Sequence, residues 1–167
     1  SLETVNRLTG DWDRWFARGG RWRIEKSPVN LLRARLYQQL FPMAHFIFLV
    51  RHPLAVCRAT AKWSDKSEEQ LLDHWHKAHE ILADDLAYLH CALVLRYEDL
   101  CANPAGTMDR IAAFLKLDAI PLKTGLDSVQ DGNAEYLDPA SDSPLPGMAE
   151  ALGYDATGRA GPMSSAF

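Results

Sequence analysis

An arginine at the end of a buried strand is a ready contact for an anion, and this chain has one at Arg51. The run from Phe46 to Val50 is apolar, rich in Ile, Val and Phe, and stops abruptly at Arg51, His52 and Pro53. A buried strand of this kind brings its carboxyl end to one edge of a parallel sheet, where open α/β folds bind ligands. The planar guanidinium can donate two parallel hydrogen bonds to one phosphate. The alternative is a plain ion pair with a local carboxylate. Other chemistry-bearing residues offer less. His76 and His79, at i and i+3, can share a helix face, but His74 and His76 cannot, and no Cys or carboxylate completes a zinc set. Cys57, Cys91 and Cys101 have neither zinc spacing nor an even-numbered disulfide framework.

The elements that must position Arg51 follow from hydrophobic periodicity. Residues 3–17 read as a helix with Val5, Leu8, Trp12 and Trp15 on one face, ended by Gly19 and Gly20. Residues 21–25 alternate like a short strand. Ser27 and Pro28 suit the N-cap and first turn of a helix reaching Leu40, which Phe41 and Pro42 stop. His45 to Val50 is the central strand, followed at once by a helix over 54–63. A long helix runs from Ser67 to about Tyr88. Residues 92–97 form another buried strand, and Asn103-Pro104 opens a helix through Leu115. From about 118 to 167 the chain is a loop-rich tail of Pro, Gly, Asp and Ser, with a short helix near 146–152 and a mobile end. Strands separated by helices predict an α/β domain with a parallel sheet flanked by helices, here one domain over 1–167.

Composition narrows the function classes. The 167 residues carry a net charge of −4, which argues against a general grip on nucleic acid. No apolar run approaches the roughly 20 residues that span a bilayer. The first residues do not resemble a signal peptide, and the cysteine usage suits a reducing, cytoplasmic setting.

Three segments, in order, carry a resemblance. They are Glu25 to Pro28; Phe41-Pro42 with Ala44 and the run from Phe46 to Pro53; and Leu95 to Leu100 with Asn103-Pro104. Over roughly 20–116 the chain resembles sulfotransferases that use 3′-phosphoadenosine 5′-phosphosulfate (PAPS). The likeness is greatest to their broad bacterial branch, with echoes of the heparan-modifying and tyrosyl-protein enzymes. The resemblance implies a P-loop-NTPase-like three-layer α/β domain. It also implies transfer of a sulfonyl group from PAPS to a hydroxyl or amine on a small-molecule or carrier-bound acceptor, without a metal. Such transfer needs in-line geometry, cationic stabilisation of the moving group and a base for the acceptor proton.

Residue by residue, the resemblance makes Arg51 the contact to the 3′-phosphate of the nucleotide and Tyr97 a contact to the adenine. Lys26, in the turn after residues 21–25, would face the sulfonyl group and act catalytically, or else is an exposed turn lysine. The family's second 3′-phosphate contact, a serine eight positions after the arginine, is Ala59 here, followed by Thr60. Either Thr60 supplies that hydroxyl or the contact is missing. Arg58 could compensate, or is a solvated helix arginine. Asn133 and Tyr136 resemble a late loop that closes over the nucleotide, or an ordinary turn. Glu98 and Asp99 read as structural caps. Where the small-molecule enzymes carry a histidine base, this chain has Pro28, so no base is assigned.

The family's Gly- and Ser/Thr-rich phosphosulfate loop has no counterpart between Ser1 and Arg21. The chain thus looks like the carboxyl-terminal part of a longer sulfotransferase, expected to transfer sulfonyl poorly alone. A non-catalytic nucleotide-binding or regulatory module on the same fold is the competing expectation. The lack of G-x-x-x-x-G-K-[ST], and of a magnesium-binding Asp at a strand end, argues against a kinase or NTPase.

Overall fold

The computed structural model describes residues 1–16, 20, 22–118, 129–138 and 144–167. It is an α/β arrangement around a small parallel sheet. Strand β1 (Phe46–Val50) pairs with β2 (Ala92–Arg96), in a register that sets Val50 opposite Arg96. The crossover between them is two helices, α3 (Pro53–Ala61) and α4 (Glu68–Leu86); α1 and α2, introduced below, precede β1. Pro53 starts α3 where its missing N–H costs nothing. A reciprocal capping box starts α4: Ser67 Oγ accepts from Gln70 N, and Gln70 Oε1 accepts from Ser67 N. Leu71, Trp75, His79 and Leu82, spaced three or four apart, form its buried face. Beyond β2 the chain enters α5 (Tyr97–Ala102) directly, then α6 (Pro104–Leu115), whose cap Asn103 accepts from Gly106 N.

The amino-terminal part departs from expectation. Helix α1 (Leu2–Asp13) is present and docks through Trp12, whose ring lies 5.3 Å from Tyr37 and 5.5 Å from Phe41. The strand expected over 21–25 does not form in the described residues 22–25, and Ile24 is 83% exposed. Alternation marks a strand only if a ladder receives it, and β2 is the only pairing partner of β1 among the described residues. The single helix expected up to Leu40 is split. Pro28–Leu32 is a 3-10 turn, Arg33 leaves helical geometry at φ −129°, and α2 (Ala34–Leu40) follows.

The tail is integral to the core. Residues 119–128 and 139–143 lie outside the described part, but 144–167 packs closely. Helix α7 (Gly147–Ala151) and the residues after it bury Ala149, Leu152 and Tyr154 against Phe48, Val50, Trp75 and Val94. Arg96 clamps this segment. Its Nε and Nη2 each donate to Asp99 at 2.9 Å, and its Nη1 donates to Leu152 O at 3.3 Å and to Gly161 O. Gly153, at φ +80°, sits where a Cβ would meet Gly161 O at 2.5 Å, so only glycine suits this crossing. The mobile end expected from composition is instead held to the sheet.

Candidate functional site

Strand register builds the site. Because Val50 faces Arg96, the next residues, Arg51 and Tyr97, leave the sheet side by side at its carboxyl edge. The Arg51 Cζ lies 4.6 Å from the Tyr97 ring centre. One residue further the same offset recurs: His52 N donates to Glu98 Oε1 at 3.0 Å. A later segment of the chain lies against this edge, a 3-10 turn over Gly132–Glu135 started by Asp131, which accepts from Asn133 N at 2.8 Å. Its Asn133 is buried (3% exposed) and accepts from Arg51 Nε at 2.7 Å, 82 residues away in sequence. The Tyr136 ring lies 5.6 Å from the Arg51 guanidinium. Gly132 N donates to the Tyr97 hydroxyl at 2.9 Å, and that hydroxyl donates to Gln130 O at 3.0 Å.

Arg51, Tyr97, Asn133 and Tyr136, singled out along the sequence, therefore form one cluster. The local ion pair considered for Arg51 does not occur among the described residues. Its one hydrogen-bond partner there is the neutral Asn133, so among the described residues no direct contact cancels the guanidinium charge and neither Nη group is hydrogen-bonded. Two aromatic faces hold a cation in place without neutralising it.

Arg58 belongs to the cluster's border rather than to open solvent. It donates from Nη1 to Tyr136 O at 2.6 Å and from Nε to Glu68 at 3.1 Å. Lys62 donates to Glu135 at 2.6 Å and to the Tyr136 hydroxyl at 2.8 Å. These bonds hold the Lys62 ammonium above its usual pKa and the Glu135 carboxyl below its own. Thr60 does not join: its hydroxyl donates to Val56 O at 2.7 Å within α3, the habitual back-bond of a helical threonine. Lys26 also stands apart, exposed in an extended stretch with no hydrogen bond or ion pair among the described residues.

Beneath the cluster lies a polar layer that sequence reasoning missed. Glu98 accepts from His52 N and Asn133 Nδ2 on Oε1, and from the Tyr154 hydroxyl at 2.9 Å on Oε2. Its placement by the same 46-residue offset as Tyr97 was the available signal. Nothing in the sequence marks Tyr154 as its partner. Burial, then the adjacent Glu98, raises the Tyr154 hydroxyl's pKa, so it stays a donor. His52, fully buried, gives Nε2–H to Asp155 O at 2.9 Å, and burial lowers its pKa, which keeps the ring neutral.

Other candidates are quiet. His79 is bonded to Trp75 O and stacked on the Trp75 ring, while His76 accepts from Met148 N and pairs with Glu80. Burial pushes the Cys57 thiol up to about 11, so it is no nucleophile at neutral pH. Among the described residues no helix is long and apolar enough to cross a membrane.

The decisive comparison is with protein-family models. The model described as "Sulfotransferase family" matches residues 3–121. The chain belongs to the sulfotransferase family. The match spans both strands, Arg51 and Tyr97; Asn133, Tyr136 and Tyr154 lie beyond it. Comparison with curated proteins found no match.

Proposed function

We propose that the carboxyl edge of the β1–β2 sheet binds the adenosine 3′-phosphate end of PAPS, and that this domain serves sulfonyl transfer from PAPS to a hydroxyl or amine acceptor. The acceptor is a small molecule or a carrier-bound group. The observation that carries the reading is Arg51: a cation at a strand's carboxyl end, fixed through Nε by Asn133, flanked by Tyr97 and Tyr136, with neither Nη group hydrogen-bonded among the described residues. A bidentate phosphate contact needs that geometry. Tyr97 presents an aromatic surface beside it for a purine. Family membership supports the reaction class, and a P-loop-NTPase-like three-layer fold is part of the same proposal.

The reading covers the 3′-phosphate and adenine side of the donor. The sequence offers no Gly-rich loop for the phosphosulfate side, and Pro28 stands where some members carry a histidine base. Pro28 favours a second reading, a nucleotide-binding module without chemistry. Calorimetric titration with adenosine 3′,5′-bisphosphate tests what both readings share, with micromolar binding expected. Absence of binding to the folded chain overturns the site. Release of adenosine 3′,5′-bisphosphate from PAPS on adding hydroxyl or amine acceptors then separates enzyme from module.

A further inference from the structure

We infer that Glu98 is a positioning residue for Arg51, acting through the side-chain amide of Asn133 and anchored from below by Tyr154. The inference rests on reading Arg51 as the phosphate contact and adds the device that aims it. The chain of bonds is continuous. Tyr154 donates its hydroxyl to Glu98 Oε2 at 2.9 Å, Asn133 donates Nδ2 to Glu98 Oε1 at 2.7 Å, and Arg51 donates Nε to Asn133 Oδ1 at 2.7 Å.

An amide side chain has one accepting and one donating end, and a carboxylate only accepts. Glu98 therefore fixes which way Asn133 points: its Nδ2 must face the carboxylate, so its Oδ1 must face Arg51. With Nε engaged, the guanidinium plane is set and both Nη groups are left without a hydrogen bond among the described residues. Asn133 is almost fully buried, so water cannot readily replace either contact. The same Oε1 accepts from His52 N, the backbone immediately after Arg51, and so fixes the arginine's main chain as well.

The arrangement also explains why the carboxylate is not placed against Arg51 itself. A direct ion pair would cancel the charge the phosphate needs. A neutral amide relay transmits orientation and leaves the charge available. Tyr154, brought by the tail segment that Arg96 clamps, supplies a third donor to the half-buried carboxylate, on the oxygen that His52 and Asn133 leave open.

The readout is the 3′-phosphate increment, the ratio of affinities for adenosine 3′,5′-bisphosphate and adenosine 5′-monophosphate, measured on the full chain. Arg51→Ala is expected to collapse this ratio. Glu98→Ala is expected to lower it about tenfold while leaving adenosine 5′-monophosphate affinity within about twofold. Glu98→Gln should retain most of the ratio, because its amide oxygen can still accept from His52 and Asn133. Asn133→Ala serves if Glu98→Ala fails to fold, and combining either with Arg51→Ala should cost nothing further. In parallel, the Arg51 Nε–H nitrogen resonance, protected from exchange in the parent, should lose protection in Glu98→Ala and keep it in Glu98→Gln. If Arg51→Ala lowers the ratio while Glu98→Ala and Asn133→Ala leave it unchanged, the positioning role is overturned and the phosphate site stands. If Arg51→Ala is itself silent, the phosphate site falls and the positioning role with it.

Discussion

The carboxyl edge of the sheet and the stretch from Trp22 to Lys26 both carry residues that the sulfotransferase resemblance assigns to the reaction, yet they differ sharply in how firmly they are held. At the sheet edge every proposed contact is tied: Arg51 to Asn133, Tyr97 to Gly132 and Gln130, Glu98 to three donors. Along 22–26 the chain is exposed, and Lys26 makes no polar contact among the described residues. Parallel pairing teaches the reason. A ladder fixes register for every residue that leaves it, so Arg51 meets Tyr97 and His52 meets Glu98 by one offset. A side chain on an unpaired stretch inherits no such constraint.

The comparison breaks most visibly where the tail supports the edge. Leu152, fully buried against the sheet, should cost about 2–5 kcal/mol of stability when cut to Ala, read by denaturant unfolding. A loss under ~1 kcal/mol would mean the tail is peripheral. Tyr154→Phe keeps the ring and removes the hydroxyl that Glu98 accepts. A hydrogen bond to a charged group is worth about 1.5–3 kcal/mol, and a smaller loss of stability than the lower bound would show the carboxylate finds another donor.

A pH titration sharpens the same contrast. Burial lowers the pKa of both His52 and His79, so below about 6.5 the unfolded chain takes up protons that the folded chain refuses. Stability should therefore rise with pH through that window and be lost as pH falls below it. A melting temperature that stays flat from pH 7.5 to 5.5 would contradict the neutral, buried rings. The smallest effect belongs to the amino-terminal stretch: Lys26→Ala should shift stability by less than about 0.5 kcal/mol and leave adenosine 3′,5′-bisphosphate affinity unchanged. A clear drop in affinity would bring Lys26 into the nucleotide site.

How far the sequence reveals this follows from the range of each interaction. Val50-Arg51-His52-Pro53 announces a strand end, a cation and a helix start within four residues, and all are found. Ser67 with Gln70 announces a cap, also found. The strand expected at 21–25 failed because a strand is a pairing between segments, which alternation alone does not contain. Position leaves Thr60 as either a nucleotide contact or no contact at all, and helix α3 engages its hydroxyl with the carbonyl of Val56. Glu98 and Tyr154, 56 residues apart, meet only once the tail has folded onto the sheet. Their pairing has no local signature, and so the layer that aims Arg51 stayed hidden while Arg51 itself was plain.

The central claim, that Arg51 grips a 3′-phosphate at the sheet edge, is tested most directly by titrating the parent chain and Arg51→Ala with adenosine 3′,5′-bisphosphate. Loss of a charged hydrogen-bonding partner predicts a weakening of about 1.5–3 kcal/mol, on the order of 10- to 100-fold, in a variant that melts as the parent does. Equal affinity in the two proteins would contradict it and make Arg51 a structural residue.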